Sequence, residues 1–265
     1  MTTEQVASPR SRGLLRGRRP NPQRPWFYRE LINELKWSFA PPRVWLAGVA
    51  ANLVLSLLWL IVAPLTGHDR GDWVVLVGSY FATFILADVT TTNVLGPDQR
   101  RIRKSMDNGV PFWRLLLVKN VTLILLVGLP TLAVTAALTL FSEDSYRLGL
   151  TLPGVAFPIL TWLGVGNVVS VLLPVAWYPL RARWEQRRDL IPTARWLGHL
   201  ALPYALLYAV APVNSVPRAV LGHVSRQLRT PQFSGMVMAL TGASVWIIGT
   251  ILAALIVRYR GFSVR

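Results

Sequence analysis

Between residues 96 and 120 the chain reads GPDQRRIRKSMDNGVPFWRLLLVKN, with basic side chains at Arg100, Arg101, Arg103, Lys104, Arg114 and Lys119. The stretch has helix-like content before Asn108-Gly109, a break there, and a fresh apolar start at Phe112. This pattern predicts a short helix presented to a partner, followed by the entry of an apolar helix. The stretch lies between two long apolar runs. A loop this basic between two membrane spans stays on the cytoplasmic side.

The other residues that could do chemistry lie inside the apolar runs. Asp88 stands about eight residues from the cytoplasmic end of a predicted span, where a carboxylate is costly and needs a partner or water. It serves either as an ion or substrate contact on a translocation path, or as a structural bond to a neighbouring helix or to Lys119. Asn52, Asn93, Asn120 and Asn167 can hydrogen-bond between helices. Asn93 and Asn167 are also candidates for the path. Gly164-x-Gly166-Asn167 permits close backbone approach but is too short for a nucleotide fingerprint.

Several activities lack their residues. There is no G-x-x-x-x-G-K-[ST] phosphate loop and no H-E-x-x-H zinc motif. Cysteine is absent, and His68, His199 and His223 are too dispersed for a ligand set, so no cofactor or metal is expected in this chain. Acidic residues on the non-cytoplasmic side are confined to two short loops (Asp69, Asp72, Glu143, Asp144), which leaves little for an enzyme to work with.

The elements that must position these residues follow from composition. The 265 residues are 52% hydrophobic and only 15% charged, with mean hydropathy +0.42. Soluble domains carry nearer a quarter charged. Apolar runs of about twenty residues are long enough to cross the hydrocarbon core as helices. The expected fold is an all-α polytopic membrane protein with six transmembrane helices, at about 44–63, 73–95, 115–141, 152–177, 196–213 and 233–257. Net charge is +16. The arginines sit beside span ends rather than on one polar domain, which argues against nucleic acid as the partner.

Residues 1–24 are polar and Arg/Pro-rich, and are expected to be a disordered basic tail attracted to anionic lipid. Residues 25–40 differ. Phe27, Tyr28, Leu31, Ile32, Leu35 and Phe39 fill one helical arc, with Arg29, Glu30, Asn33, Glu34 and Lys36 outside it and Trp26 and Trp37 on the polar side near its edge. An aromatic-rich amphipathic helix just before a span suits the membrane interface. Its polar face, with Glu30 and Glu34, either touches a cytoplasmic partner or is simply solvated. The remainder, 41–265, is read as one transmembrane domain.

Alternating the sides of the segments, the first, third, fifth and last hold 9, 6, 5 and 3 of the 28 basic residues, and the others 1, 1 and 3. This asymmetry places both termini in the cytoplasm of a cell membrane. The misfit is the segment 214–232, with Arg218, Arg226 and Arg229. Its residues 217, 220, 221, 224 and 228 share a helical face, which predicts a short surface or interfacial helix. The first three spans do not look like the last three inverted, which weakens a transporter built from inverted repeats.

In organisation the chain resembles the membrane subunit of ABC exporters of the ABC-2 type. The resemblance rests on the interface helix, six spans with both ends inside, a basic loop after the second span closing with Gly109-Val-Pro-Phe-Trp-Arg-Leu-Leu-Leu-Val-Lys119, and the helical segment between the fifth and sixth spans. It implies a permease that pairs with a second permease chain, identical or not, and with separate ABC ATPase subunits that bind ATP and Mg. It also implies that the helix in 98–107 seats in the ATPase as a coupling helix. Arg100, Arg101, Arg103, Lys104 and Asp107, with Glu30 and Glu34 nearby, are then the expected coupling residues. Two other functions remain open on the residues alone. One is a stand-alone secondary transporter or channel built on Asp88. The other is a non-catalytic membrane assembly subunit acting through the basic tail.

Overall fold

The computed structural model describes residues 26–40, 93–142, 144–174, 185, 188–225, 227 and 229–261. The basic tail, the first predicted span, most of the second and Asp88 lie outside the described residues. Among the described residues every regular element is helical. Among the described residues three helices are long and apolar enough to cross a membrane: Phe112–Phe141, Ser145–Leu172 and Pro231–Arg260.

Helix α1 (Trp26–Phe39) covers the amphipathic stretch. A single 3₁₀ turn, Gly96–Asp98, leads into α2 (Gln99–Asp107), the predicted basic helix. Its stop is a paired hydrogen-bond motif around a left-handed glycine. Gly109 takes φ 81°, its N–H donates to the Met106 carbonyl, and the Val110 N–H donates to the Ser105 carbonyl. Pro111 then sets an extended residue, and the next helix begins at Phe112.

That helix starts three residues before the predicted span. It runs as α3 (Phe112–Leu123), a π-helical stretch (Ile124–Gly128) and α4 (Leu129–Ser142). The π stretch sits just before Pro130, whose missing N–H and bulky ring disrupt regular bonding to the preceding turn. Helix α5 (Leu148–Leu172) also starts earlier than predicted, and it stops before Pro174 rather than reaching 177. Helix α6 (Leu190–Gly222) continues unbroken through the expected end of the fifth span at 213, so the first part of the predicted separate helix, to Gly222, is its extension. Arg229 caps that extension, with Nε donating to the Val224 carbonyl and Nη2 to that of Gly222. One arginine of the charge-asymmetry misfit therefore has a local structural task. Helix α7 (Pro231–Arg260) opens on Thr230, whose hydroxyl accepts the Phe233 N–H at 3.2 Å.

Helices α5 and α7 are parallel and very close. Gly149 lies against Gly235, Phe157 against Gly242, and Gly164 against Gly249. Helix α4 is antiparallel to α5, and its Thr139 hydroxyl donates to that of Thr151 at 3.0 Å. Two apolar clusters result. Leu123, Val127, Val155, Ile159, Trp162 and Leu163 form one, where the third predicted span meets the fourth. Leu95, Ile102, Phe112, Leu116, Ala253 and Val257 form the other, at the foot of α3, and it holds α2.

Candidate functional site

Helix α2 is polar except at Ile102 and Met106. Ile102 is 2% exposed, plugged into the cluster around Leu95, Phe112 and Leu116. Driving that one side chain out of water fixes which face of α2 points in. Arg101 is beside it and turns inward. Arg100, Arg103, Lys104 and Asp107 are exposed on the other faces.

Beneath α2 four charged groups meet. Lys119 Nζ donates to Glu34 Oε1 at 2.8 Å and to Asp98 Oδ2 at 3.1 Å. Arg101 Nη2 pairs with Asp98 Oδ2 at 2.8 Å and with Glu34 Oε2. The side chains of Glu34, Asp98 and Lys119 are only 5–6% exposed. Two carboxylates and two cations make the quartet neutral as a set, and each carboxylate accepts from both cations. Burial on this scale is tolerated only with such mutual pairing. Burial raises the Asp98 carboxyl above its ordinary value of 3.8, and the Lys119 charge and hydrogen bond oppose that rise. Burial also lowers the pKa of the Arg101 guanidinium from its ordinary value, opposed by the charge of Glu30.

Aromatic rings complete the attachment of α1. The Trp37 ring faces both Arg101 (5.2 Å) and Lys119 (4.9 Å). Arg114 lies 5.4 Å from the Trp26 ring and 5.3 Å from that of Trp113. Each is a cation over an aromatic face, strongest where water is excluded. Helix α1 is thus gripped near both ends by α3. A cavity of about 20 Å³, room for one water, remains beside the quartet and is bordered by Glu30 and Ser105.

The structure therefore divides the predicted coupling residues. Glu34 and Arg101 are engaged inside the protein. Glu30 is partly exposed and lies 3.7 Å from Arg29. Arg100, Arg103, Lys104 and Asp107 form the outer surface. Lys119 is joined to Asp98 and Glu34; Asp88, the other partner considered for it, lies outside the described residues. Sequence reasoning missed Asp98, Lys119 and Ile102 as a unit. Trp26 and Trp37 did carry a signal: aromatic rings on the polar side of an amphipathic helix have a task there.

Of the predicted intramembrane polar residues, Asn93 and Asn167 are described and lie apart from α2's outer face. Asn93 is buried, and the neighbouring Val94 N–H donates to Ser170 Oγ at 3.0 Å. Asn167 Nδ2 donates to Thr250 Oγ1 at 3.0 Å, joining α5 to α7. Among the described residues no trio of acidic or imidazole side chains is placed to hold a metal. No protein-family model, curated protein or solved structure matches the chain.

Proposed function

We propose that this chain is the permease subunit of an ATP-driven exporter of the ABC-2 type, working with separate ATPase subunits and a second permease chain. One observation carries the reading. A nine-residue basic helix, α2, is clamped by Ile102 and Arg101 to the foot of a membrane-length helix while Arg100, Arg103 and Lys104 face outward. A helix fixed on one side and charged on the other can receive a push and pass it on. ATP and Mg bound in the partner would drive that push. It would reach α3 through Ile102 and the Asp98–Lys119 pair, and α1 through Glu34 and Trp37.

The rest of the fold agrees with this reading. One edge of the apolar arc of α1 faces away from the protein, with Tyr28 61% and Phe39 52% exposed and Phe27, Leu31 and Leu35 half-buried, as suits a helix lying in the lipid interface. The parallel course of α5 and α7, antiparallel to α3 and α4, agrees with the third, fourth and sixth spans of a six-span chain with both ends in the cytoplasm.

The test is affinity purification of the full chain in mild detergent from its native membrane. A phosphate-loop ATPase should copurify. Replacing Arg100 and Lys104 together by Glu should cut the recovered ATPase at least about tenfold without shifting thermal unfolding, since both face outward. Undiminished recovery with the double variant would remove the coupling role of α2.

A further inference from the structure

Asn120 follows Lys119 directly and occupies the face of α3 that also carries Leu116 and Leu123. Leu116 packs with Ala253 and Val257 of α7, and Leu123 packs with Leu163 and Ile159 of α5. Asn120 lies one turn from each leucine, so it stands at the level where α3, α5 and α7 meet. At that level are Asn167, one turn beyond Leu163, and Thr250, one turn before Ala253, which are themselves hydrogen-bonded.

Asn120 and Asn167 are both 0% exposed. Among the described residues neither amide atom of Asn120 has a hydrogen-bond partner, and Asn167 Oδ1 and Trp246 Nε1 have none. Each of these atoms exposes less than 1 Å² to solvent. A carboxamide sealed unpaired beside apolar clusters is penalised, whereas leucine, of similar size, brings no polar atom that could be left unpaired. The penalty is specific to this packing and disappears when the helices part. The element best placed to part them is adjacent: Lys119 ties this turn of α3 to α2.

We propose that the junction of α3, α5 and α7 opens to water in the protein's working cycle, and that the carboxamides of Asn120 and Asn167 line the aqueous cleft so formed. The inference rests on reading these helices as the spans of a transporter but not on the identity of the motor. It adds Asn120 to the translocation path and gives that path hydrogen-bonding rather than charged walls at this depth.

The natural chain has no cysteine, so single cysteines can be placed in it without background. Asn120→Cys and Asn167→Cys, in membrane vesicles, should react with a charged, water-soluble methanethiosulfonate at least about tenfold faster than Leu116→Cys and Leu163→Cys. Equal protection at all four positions would overturn the proposal. Independently, Asn120→Leu should raise the melting temperature in detergent by about 2–4 °C and slow the labelling of Cys introduced at 167. A lowered melting temperature would show the amide already satisfied and would equally overturn it. The labelling contrast needs no ATPase. If none copurifies while the contrast holds, the cleft survives and the motor assignment falls.

Discussion

Lys119 Nζ lies 2.8 Å from Glu34 Oε1, although the two residues are 85 positions apart in the chain. The pair binds an amphipathic helix to the foot of a membrane-length one, and both side chains are almost completely buried. Asp98 and Arg101 close the same quartet from the basic loop. Three segments that the sequence separates are therefore held at one point by charge.

Removing one member of a buried ion pair leaves the other uncompensated, at a cost of about 3–5 kcal/mol. Lys119→Met should lower stability by about that amount, as should Glu34→Leu. The double variant should recover part of the loss, because it leaves Asp98 and Arg101 paired with each other. Thermal unfolding of the four proteins in one detergent gives the coupling energy. Additive losses would mean that the two side chains do not interact.

Asp98 gives the quartet a pH signature. Burial raises its carboxyl above 3.8, against the pull of Lys119. The folded chain then holds this proton more tightly than the unfolded chain does. The stability it contributes is fully present below pH 3.8 and is lost as pH rises through the folded value. Asp98→Asn lacks this titration. The melting temperature of the natural chain relative to the variant should fall as pH is raised from just below 3.8, and a difference that rises with pH would contradict it.

Ile102 is the apolar anchor of α2. Ile102→Ala should cost about 2–5 kcal/mol of local packing, concentrated on undocking a nine-residue helix rather than on the spans. Limited trypsin digestion reads this directly, because α2 contains four basic cleavage positions. Cutting there should accelerate at least about tenfold in the variant, with the membrane-length helices still protected. Cutting that accelerates everywhere would place Ile102 in the global core instead.

What the residues disclosed and what they hid follows from the solvent. The bounds of α1 and α2 were legible, because helical periodicity marks one and Asn108-Gly109 ends the other. The inward face of α1 was not. Periodicity locates an apolar arc but does not say whether protein or lipid covers it. Here Tyr28, Ile32 and Phe39 face outward and Glu34 faces in, the reverse of a helix on a soluble core. Glu34 and Arg101 were expected on the partner's side for that reason. The Lys119 pairing was illegible because nothing in the sequence links residues 34, 98 and 119. Proline chemistry acted locally: it stopped the fourth predicted span short of Pro174 and left a π-helical stretch before Pro130 inside the third.

The glycines of α7 left a signal that went unread: Gly235, Gly242 and Gly249 recur every seventh residue. A periodic stripe of this kind lets two helices approach backbone to backbone in a membrane, where no hydrophobic force draws them together. A Cβ at Gly249 would overlap the Gly164 carbonyl, and one at Gly164 would overlap that of Val245. Neither obstacle is a flexible side chain, so the helices must separate. Gly249→Ala should cost about 1–3 kcal/mol and weaken the Asn167–Thr250 bond one residue away. Gly198→Ala, inside α6 with open space around it, should be neutral or slightly stabilising, since alanine is the better helix former. Thermal unfolding of both variants in the same detergent decides the matter. If Gly198→Ala proves the more damaging, the close approach of α5 and α7 is not what holds the bundle together.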